Sequence, residues 1–330
     1  MKTLVVSHIA DLDGVSSAVL VSNYLLLRDG VAPEVIFADY EDAYDKVTTV
    51  AKDKDEIWIC DLSWKPVSID LIDKLSHIAS QNILFFDHHK SSKECFDAWS
   101  DRATFFFDYS GAKCTADLLW EYLHSNFHGE QKLSLEKITL AAHSRDLWVR
   151  NDPDGCYISD VIDVFGAESV FQQLMQDPTL IRRANYPPSW NGACKQAEAS
   201  REDSYELAMK SKMTAYLTAD NGNLVPVSAC LSNGFVSEVG NRILTEMDGG
   251  IVGFIDVKLG TLSFRAERKA IESLNVGVNE IAAMMHPNGG GHPYAAGAAM
   301  SNEYYHRGTN FLFSQMNSFI EVIMKSKKAP

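Results

Sequence analysis

Ile83-Leu84-Phe85-Phe86-Asp87-His88-His89 joins an apolar run to an acid and two imidazoles. The run is short and made of aromatic and branched residues, so it reads as a buried strand. An acid and two histidines at the mouth of such a strand cost free energy unless something pairs with them. Metal ions and phosphate groups are the usual partners, although the triplet alone also fits a plain polar strand end. Other stretches repeat the design. Val5-Val6-Ser7-His8 runs into Asp11-Leu12-Asp13-Gly14, and Ile57-Trp58-Ile59-Cys60 runs into Asp61. A helix-like segment further on carries Asp146.

Outward from this stretch, strands and helices alternate. The pattern predicts strands at residues 3–8, 34–39, 56–61, 82–87 and 103–107. Helices are expected at 14–27, 44–51 and from Pro66 to about residue 77. This is the signature of an α/β fold, a mostly parallel sheet with helices on both faces. Such sheets bind ligands outside the carboxyl ends of their strands, where His8 to Asp13, Asp61 and Asp87 to His89 all fall. Residues 112–127, 134–143 and 161–175 read as helices, and 186–192, rich in Pro, Asn and Gly, as a turn. A polar helical connector follows at 195–211. Beyond it the pattern gives a strand at 225–231, a helix at 237–247, a hairpin of 251–257 and 261–265, and a helix at 278–285. A glycine-rich loop, Asn288 to His292, and a closing helix at 304–324 complete it. The expected division is a domain of residues 1–185, a linker of 186–212 and a smaller α/β domain of 213–330.

The bulk numbers narrow the function. An apolar content of 46% and a charged content of 22% suit a soluble globular protein. No basic, apolar and small-residue leader and no apolar run of about 18–20 residues is evident, so neither secretion nor a membrane span is expected. The six scattered cysteines lack a Cys-x-x-Cys pair, which fits a reducing cytoplasm and argues against a thiolate zinc site. The net charge of −14 argues against a grip on long nucleic acid, which needs a basic track along the phosphates.

Each acidic motif has an ordinary reading. Asp11 and Asp13 before Gly14 fit a helix N-cap near the dipole. Asp61 fits a turn, and Asp146 beside Arg145 fits a surface ion pair. Together, however, five carboxylates with two or three histidines at one end of one sheet repel one another without cations. Oxygen-rich sites with an imidazole or two suit Mn²⁺ or Mg²⁺ better than structural zinc. In the second domain, Gly289-Gly290-Gly291 would let backbone N–H groups approach an anion, although it also fits a flexible turn. His292 would donate to a phosphate oxygen, and Arg265 would clamp a terminal phosphate. His143, three residues before Asp146, reads as a support behind the site or an ordinary helix histidine.

The order His8, Asp11-x-Asp13-Gly14, Asp61, Asp87-His88-His89, Asp146 and Gly289-Gly290-Gly291-His292 resembles the DHH phosphoesterase superfamily. The glycine motif, the stretch 232–241 and Ser263-Phe264-Arg265 resemble the DHH-associated C-terminal domain of its nanoRNase members. The resemblance spans nearly the whole chain. One spacing departs: His8 lies three residues before Asp11, where related members place this histidine at two or four.

The resemblance implies a two-metal hydrolase, usually with two Mn²⁺, for which Mg²⁺ or another divalent ion can stand in. His8, Asp11 and Asp61 would hold one ion. Asp13, Asp61, His88 and Asp146 would hold the other, with Asp61 bridging. Asp87 would orient a ligand, and His89 would face the substrate phosphate. Two such ions acidify water from a pKa of about 15.7 toward roughly 7 and stabilise both oxygens of an in-line displacement. The implied activity is a phosphodiesterase that cuts linear dinucleotides and very short RNA, pGpG-type products of cyclic dinucleotide turnover included. Its products would be nucleoside 5′-monophosphates, and its active site the cleft between the domains. The implied partners are short RNA substrates, with no long nucleic acid and no membrane, and a homodimer is compatible with this. The rivals are a 3′-phosphoadenosine 5′-phosphate phosphatase, a pyrophosphatase and a catalytically idle nucleotide receptor.

Overall fold

In this computed structural model, which describes residues 1–149, 152–287 and 289–328, the first strand shows how the sheet is covered. β1 (Thr3–His8) is buried along its whole length. Val5 joins one apolar core, while Leu4 and Val6 join another. That alternation is what a strand with helices on both faces requires. After β1 come α1 (Leu12–Asp29), β2 (Glu34–Ala38), α2 (Ala43–Val50), β3 (Glu56–Cys60), α3 (Leu71–Lys74), β4 (Ile83–Asp87), α4 (Lys93–Ala98) and β5 (Thr104–Phe107). The sheet order is β2-β1-β3-β4-β5, and every pairing is parallel. The α/β class expected from the sequence is the class observed.

Four helices follow: α5 (Thr115–Leu123), α6 (Gly129–Asp146), α7 (Pro153–Phe165) and α8 (Ala167–Gln176). They pack with α1 on the Val5 face, while α2, α3 and α4 cover the other. Aromatic pairs lock the strands together. Trp58 stacks on Phe86 at 5.5 Å with planes 1° apart, and Phe86 stacks on Phe106 at 4.5 Å. On the opposite face Phe85 stacks on Phe105 at 5.1 Å. Each such pair adds about 0.5–1.5 kcal/mol beyond its buried area. They fix the register of β3, β4 and β5, and so the heights at which Asp61 and Asp87 leave the sheet.

The helices differ from the sequence expectation in instructive ways. Pro66 opens only a single 3₁₀ turn, Pro66–Ser68, before the short α3. The helix expected at 161–175 is two helices, because Gly166 stands at φ 79° and ends α7. The helix expected at 134–143 is longer at both ends, and its extension carries Asp146 into the last turn of α6. The expected turn at 186–192 instead contains the start of α9 (Pro188–Ser211). A proline is compatible with a first helical turn, where its missing N–H costs nothing.

By contact the chain divides into two units, Met1–Ala197 and Glu198–Pro330, and the division falls inside α9. The second unit contains β6 (Met213–Thr218), β7 (Leu224–Ser232), α10 (Val236–Glu246), β8 (Ile251–Asp256), β9 (Thr261–Ala266), α11 (Arg268–Leu274) and α12 (Val278–Met285). β10 (Gly290–Gly291), β11 (Ala295–Ala299) and α13 (Asn302–Ser326) complete it, with α13 broken at Gly308. Its sheet runs β10-β11-β9-β8-β7-β6 and is antiparallel except for β7 with β8. α12 and α13 cover one face, and α10 the other. Among the described residues, no helix is long and apolar enough to cross a membrane.

Candidate metal centre

The order of the parallel sheet reverses between β1 and β3, because β2 lies on one side of β1 and all later strands on the other. The crevice outside the carboxyl ends at such a switch is where α/β sheets take ligands. His8 ends β1, and Asp61 directly follows β3. Asp61 stands at φ 59°, a left-handed conformation uncommon outside glycine. Its N–H still donates to the Phe86 carbonyl at 2.9 Å, so the turn is tied to β4. Gly14 lets α1 close on β1: any side chain there would put its first carbon 2.1 Å from the His8 carbonyl oxygen.

The acids are held in place by backbone. Asp11 caps α1, accepting from the Gly14 N–H at 2.9 Å, and its other oxygen lies 2.8 Å from His8 Nδ1. Asp13 is buried and accepts from the N–H groups of Thr115 at 2.7 Å and Ala116 at 2.8 Å. Those are the first residues of α5, whose N-terminal dipole favours negative charge. Asp61 Oδ1 accepts from the Thr115 hydroxyl at 3.1 Å, while its buried Oδ2 has no hydrogen-bond partner. His88 Nε2 lies 3.4 Å from Asp61 Oδ1, 3.7 Å from Asp146 Oδ2 and 3.9 Å from Asp13 Oδ2.

Among the described residues, the donor atoms fall into three groups, each within 4.8 Å: His8, Asp11 and Asp61; Asp13, His88 and Asp146; and Asp61, His88 and His89. Asp61 and His88 each belong to two. This oxygen-rich set with imidazole nitrogens fits divalent cations of the Mn²⁺ and Mg²⁺ kind. Asp61 Oδ2 points the same way: it is buried without a hydrogen bond, His8 Nδ1 lies 3.7 Å from it, and a cation there would satisfy it.

Electrostatics agree. Burial works against charge on His8, yet Asp11 and Asp61 outweigh it and push the imidazole up to about 11. Burial likewise opposes charge on His88, and Asp61, Asp146 and Asp13 push it up to about 11. Burial, with Asp61 and Asp11 adding to it against His88, raises Asp146 to about 6. Burial and the charge of Asp61 hold Asp13 well above the usual carboxylate range. Asp61 goes the other way: despite burial, His8 and His88 hold it well below that range. The cluster thus gathers protons to offset its own negative potential, and cations would displace them.

Asp87 stands behind the histidines. Its Oδ1 accepts from the N–H groups of His88 at 2.9 Å and His89 at 3.3 Å, and from His89 Nδ1 at 2.7 Å. Its Oδ2 accepts from the Ser92 hydroxyl. His89 therefore carries a proton on Nδ1 and presents Nε2 outward, where the Tyr40 hydroxyl lies 3.2 Å away. His143 Nδ1 meets Asp117 Oδ2 at 2.7 Å, and Asp117 also accepts from the Cys114 N–H at 3.0 Å. His143 so braces the start of α5 behind Thr115. Sequence reasoning missed Tyr40, Ser92 and Thr115. The available signals were the position of Tyr40 just past β2 at the ligand edge, and of Thr115 at a helix start.

The remaining candidates lie in the second unit. Arg265 of β9 sits opposite Ala295 of β11. It donates to Ser237 Oγ at 2.7 Å and to the Phe264 carbonyl at 2.8 Å, and burial lowers its pKa. The glycine motif is not wholly a loop: β10 pairs with β11, and His292 and Ala295 exchange backbone hydrogen bonds at 2.8 and 3.2 Å. Asn288, which begins the motif, lies outside the described residues. The fold itself requires Gly289, where a side chain would lie 1.9 Å from the Ala282 carbonyl oxygen, and Gly291, at φ 133°. A side chain at Gly290 would meet open space, so the fold leaves that glycine unexplained.

Residues 2–143 match the model of the DHH family, N-terminal domain. The chain therefore carries a DHH-family N-terminal domain, and the strand-end acids and histidines described above lie in it, with Asp146 just beyond. Two solved structures share the fold. One is the pGpG-specific phosphodiesterase PggH from Vibrio cholerae, with a TM-score of 0.56 and 15% identity over 96% of this chain and 99% of that one. The other is RecJ from Thermus thermophilus in complex with Mn²⁺, with a TM-score of 0.62 and 16% identity over 98% of this chain and 52% of RecJ. No curated protein matches the sequence.

Proposed function

We propose that this chain is a two-metal phosphodiesterase that hydrolyses linear dinucleotides and very short RNA to nucleoside 5′-monophosphates. The observation that carries the reading is the sharing of Asp61 and His88 between donor groups at the switch point, with Asp61 Oδ2 buried, without a hydrogen bond and 3.7 Å from His8 Nδ1. His8, Asp11 and Asp61 would hold one cation, and Asp13, Asp61, His88 and Asp146 the other. Mn²⁺ is the first candidate, given the complex of RecJ. When bound, two such ions supply an acidified water and charge stabilisation at phosphorus.

The chain's own side chains do the positioning. Thr115 fixes Asp61, the α5 N-terminus fixes Asp13, and Asp87 with Ser92 fixes the orientation of His89 toward a phosphate. Arg265, the backbone around Gly290 and His292 take a terminal phosphate of the substrate. PggH, named for pGpG, supports a dinucleotide as that substrate. The six scattered cysteines, with no Cys-x-x-Cys pair, suit a reducing compartment such as the cytoplasm.

A net charge of −14 makes short substrates the better ligands. A long polyanion is repelled away from the site, and salt screens this only beyond about 8–10 Å. The test is hydrolysis of a panel of two- to five-nucleotide RNAs with Mn²⁺. Specificity constants should fall steeply from two nucleotides to five. Equal or faster cleavage of the five-nucleotide RNA, per scissile bond, would refute the dinucleotide assignment.

A further inference from the structure

Tyr40 lies two residues beyond β2, at the same carboxyl edge as the metal centre. Its ring lies almost flat on the His8 imidazole, with 4.3 Å between centroids and 20° between planes. Its hydroxyl end is tied to His89 Nε2 at 3.2 Å. One face and one end of the ring are therefore occupied, yet the residue remains 39% exposed. The His8 stack and the His89 contact leave the opposite face of the ring as the surface a ligand would meet. A flat aromatic surface held rigid from behind and open in front loses little conformational freedom when something stacks on it.

We propose that the outer face of Tyr40 is a nucleobase platform, on which one base of the bound dinucleotide stacks while its phosphate lies at the cations. The proposal rests on the phosphodiesterase reading above and deepens it by naming what holds the base. His8 belongs to the first donor group, so the platform stands one ring's thickness from a metal ligand. A nucleotide keeps its base one sugar away from its phosphate, which matches a platform beside the metal centre rather than within it. Every base has a π face, so such a surface distinguishes nucleotides from simple phosphate esters without reading sequence. Losing a stacking partner weakens binding by about five- to a hundredfold per base.

The test uses the whole chain with Mg²⁺ and two probes that a diesterase does not turn over. They are the 5′-monophosphate of 2-aminopurine riboside, whose fluorescence falls on stacking, and ribose 5-phosphate, followed by calorimetry. Wild type and Tyr40→Phe should quench the fluorescent nucleotide. Tyr40→Leu should lose the quenching and bind that nucleotide about tenfold more weakly. Ribose 5-phosphate should bind all three proteins alike. Equal weakening of ribose 5-phosphate in Tyr40→Leu would mean that Tyr40 only braces His8, and undiminished quenching would mean that nothing stacks there. Either result overturns the platform. A wild-type protein that binds both probes equally tightly overturns the platform and leaves the phosphate site standing; one that binds neither overturns both.

Discussion

Asp61 Oδ1 and His88 Nε2 stand 3.4 Å apart, on the two residues that the donor groups share among the described residues, and the other oxygen of Asp61 is buried without a hydrogen bond, 3.7 Å from His8 Nδ1. On the two-metal proposal, Asp61 is the residue on which both cations would depend. Asp61→Asn tests that role with little disturbance, since asparagine tolerates the left-handed backbone seen at φ 59°. The variant should melt like the wild type, bind fewer Mn²⁺ by calorimetry, and lose more than about a hundredfold in activity, the upper cost of losing a mere supporting contact to a metal ligand.

Metal affinity should rise with pH. His8 and His88, both pushed up to about 11, carry protons at neutral pH in the metal-free protein, and Asp146 holds its own below about 6. A cation must displace those protons, so binding releases protons and weakens as pH falls, and more steeply below about 6, where Asp146 adds its proton to those displaced. Calorimetric Mn²⁺ titrations in buffers of different ionisation enthalpy read the release directly. Binding that is independent of pH and buffer would contradict this picture.

Substrate anchoring and metal binding should separate by mutation. Arg265→Ala and His292→Ala lie in the second unit, outside the donor groups. Each should leave Mn²⁺ stoichiometry unchanged and raise KM roughly tenfold or more, as loss of a charged hydrogen bond does. Loss of a bound metal in either variant would count against their assignment to the substrate.

Much of the fold was legible because the strands are short, apolar and end in charge. β1, β3 and β4 could each be read with the residue that leaves the sheet. The alternation with helices then put His8, Asp61 and Asp87 at one edge. The edge strand β6 was not legible: it is half exposed, Met-Thr-Ala-Tyr-Leu-Thr, with no apolar run. Helix ends were also obscure. Nothing in the residues 161–175 outweighed their helical spacing except Gly166, and Pro188 looked like a turn when it begins α9. In the site, Thr115 and Ser92 escaped notice because their roles arise from packing. Thr115 reaches Asp61 across 54 positions of sequence, and no local pattern announces such a contact. Tyr40 was hidden in a polar segment after β2, and only its stacking on His8 marks it.

The most direct test follows guanosine 5′-monophosphate released from 5′-phosphorylated diguanylate as Mn²⁺ is titrated into metal-free protein. The account predicts no release in chelator, a rate that climbs until two equivalents are bound per chain, and the monophosphate as the product. Hydrolysis that persists in chelator, that saturates at one equivalent, or that never appears at any Mn²⁺ level would contradict it.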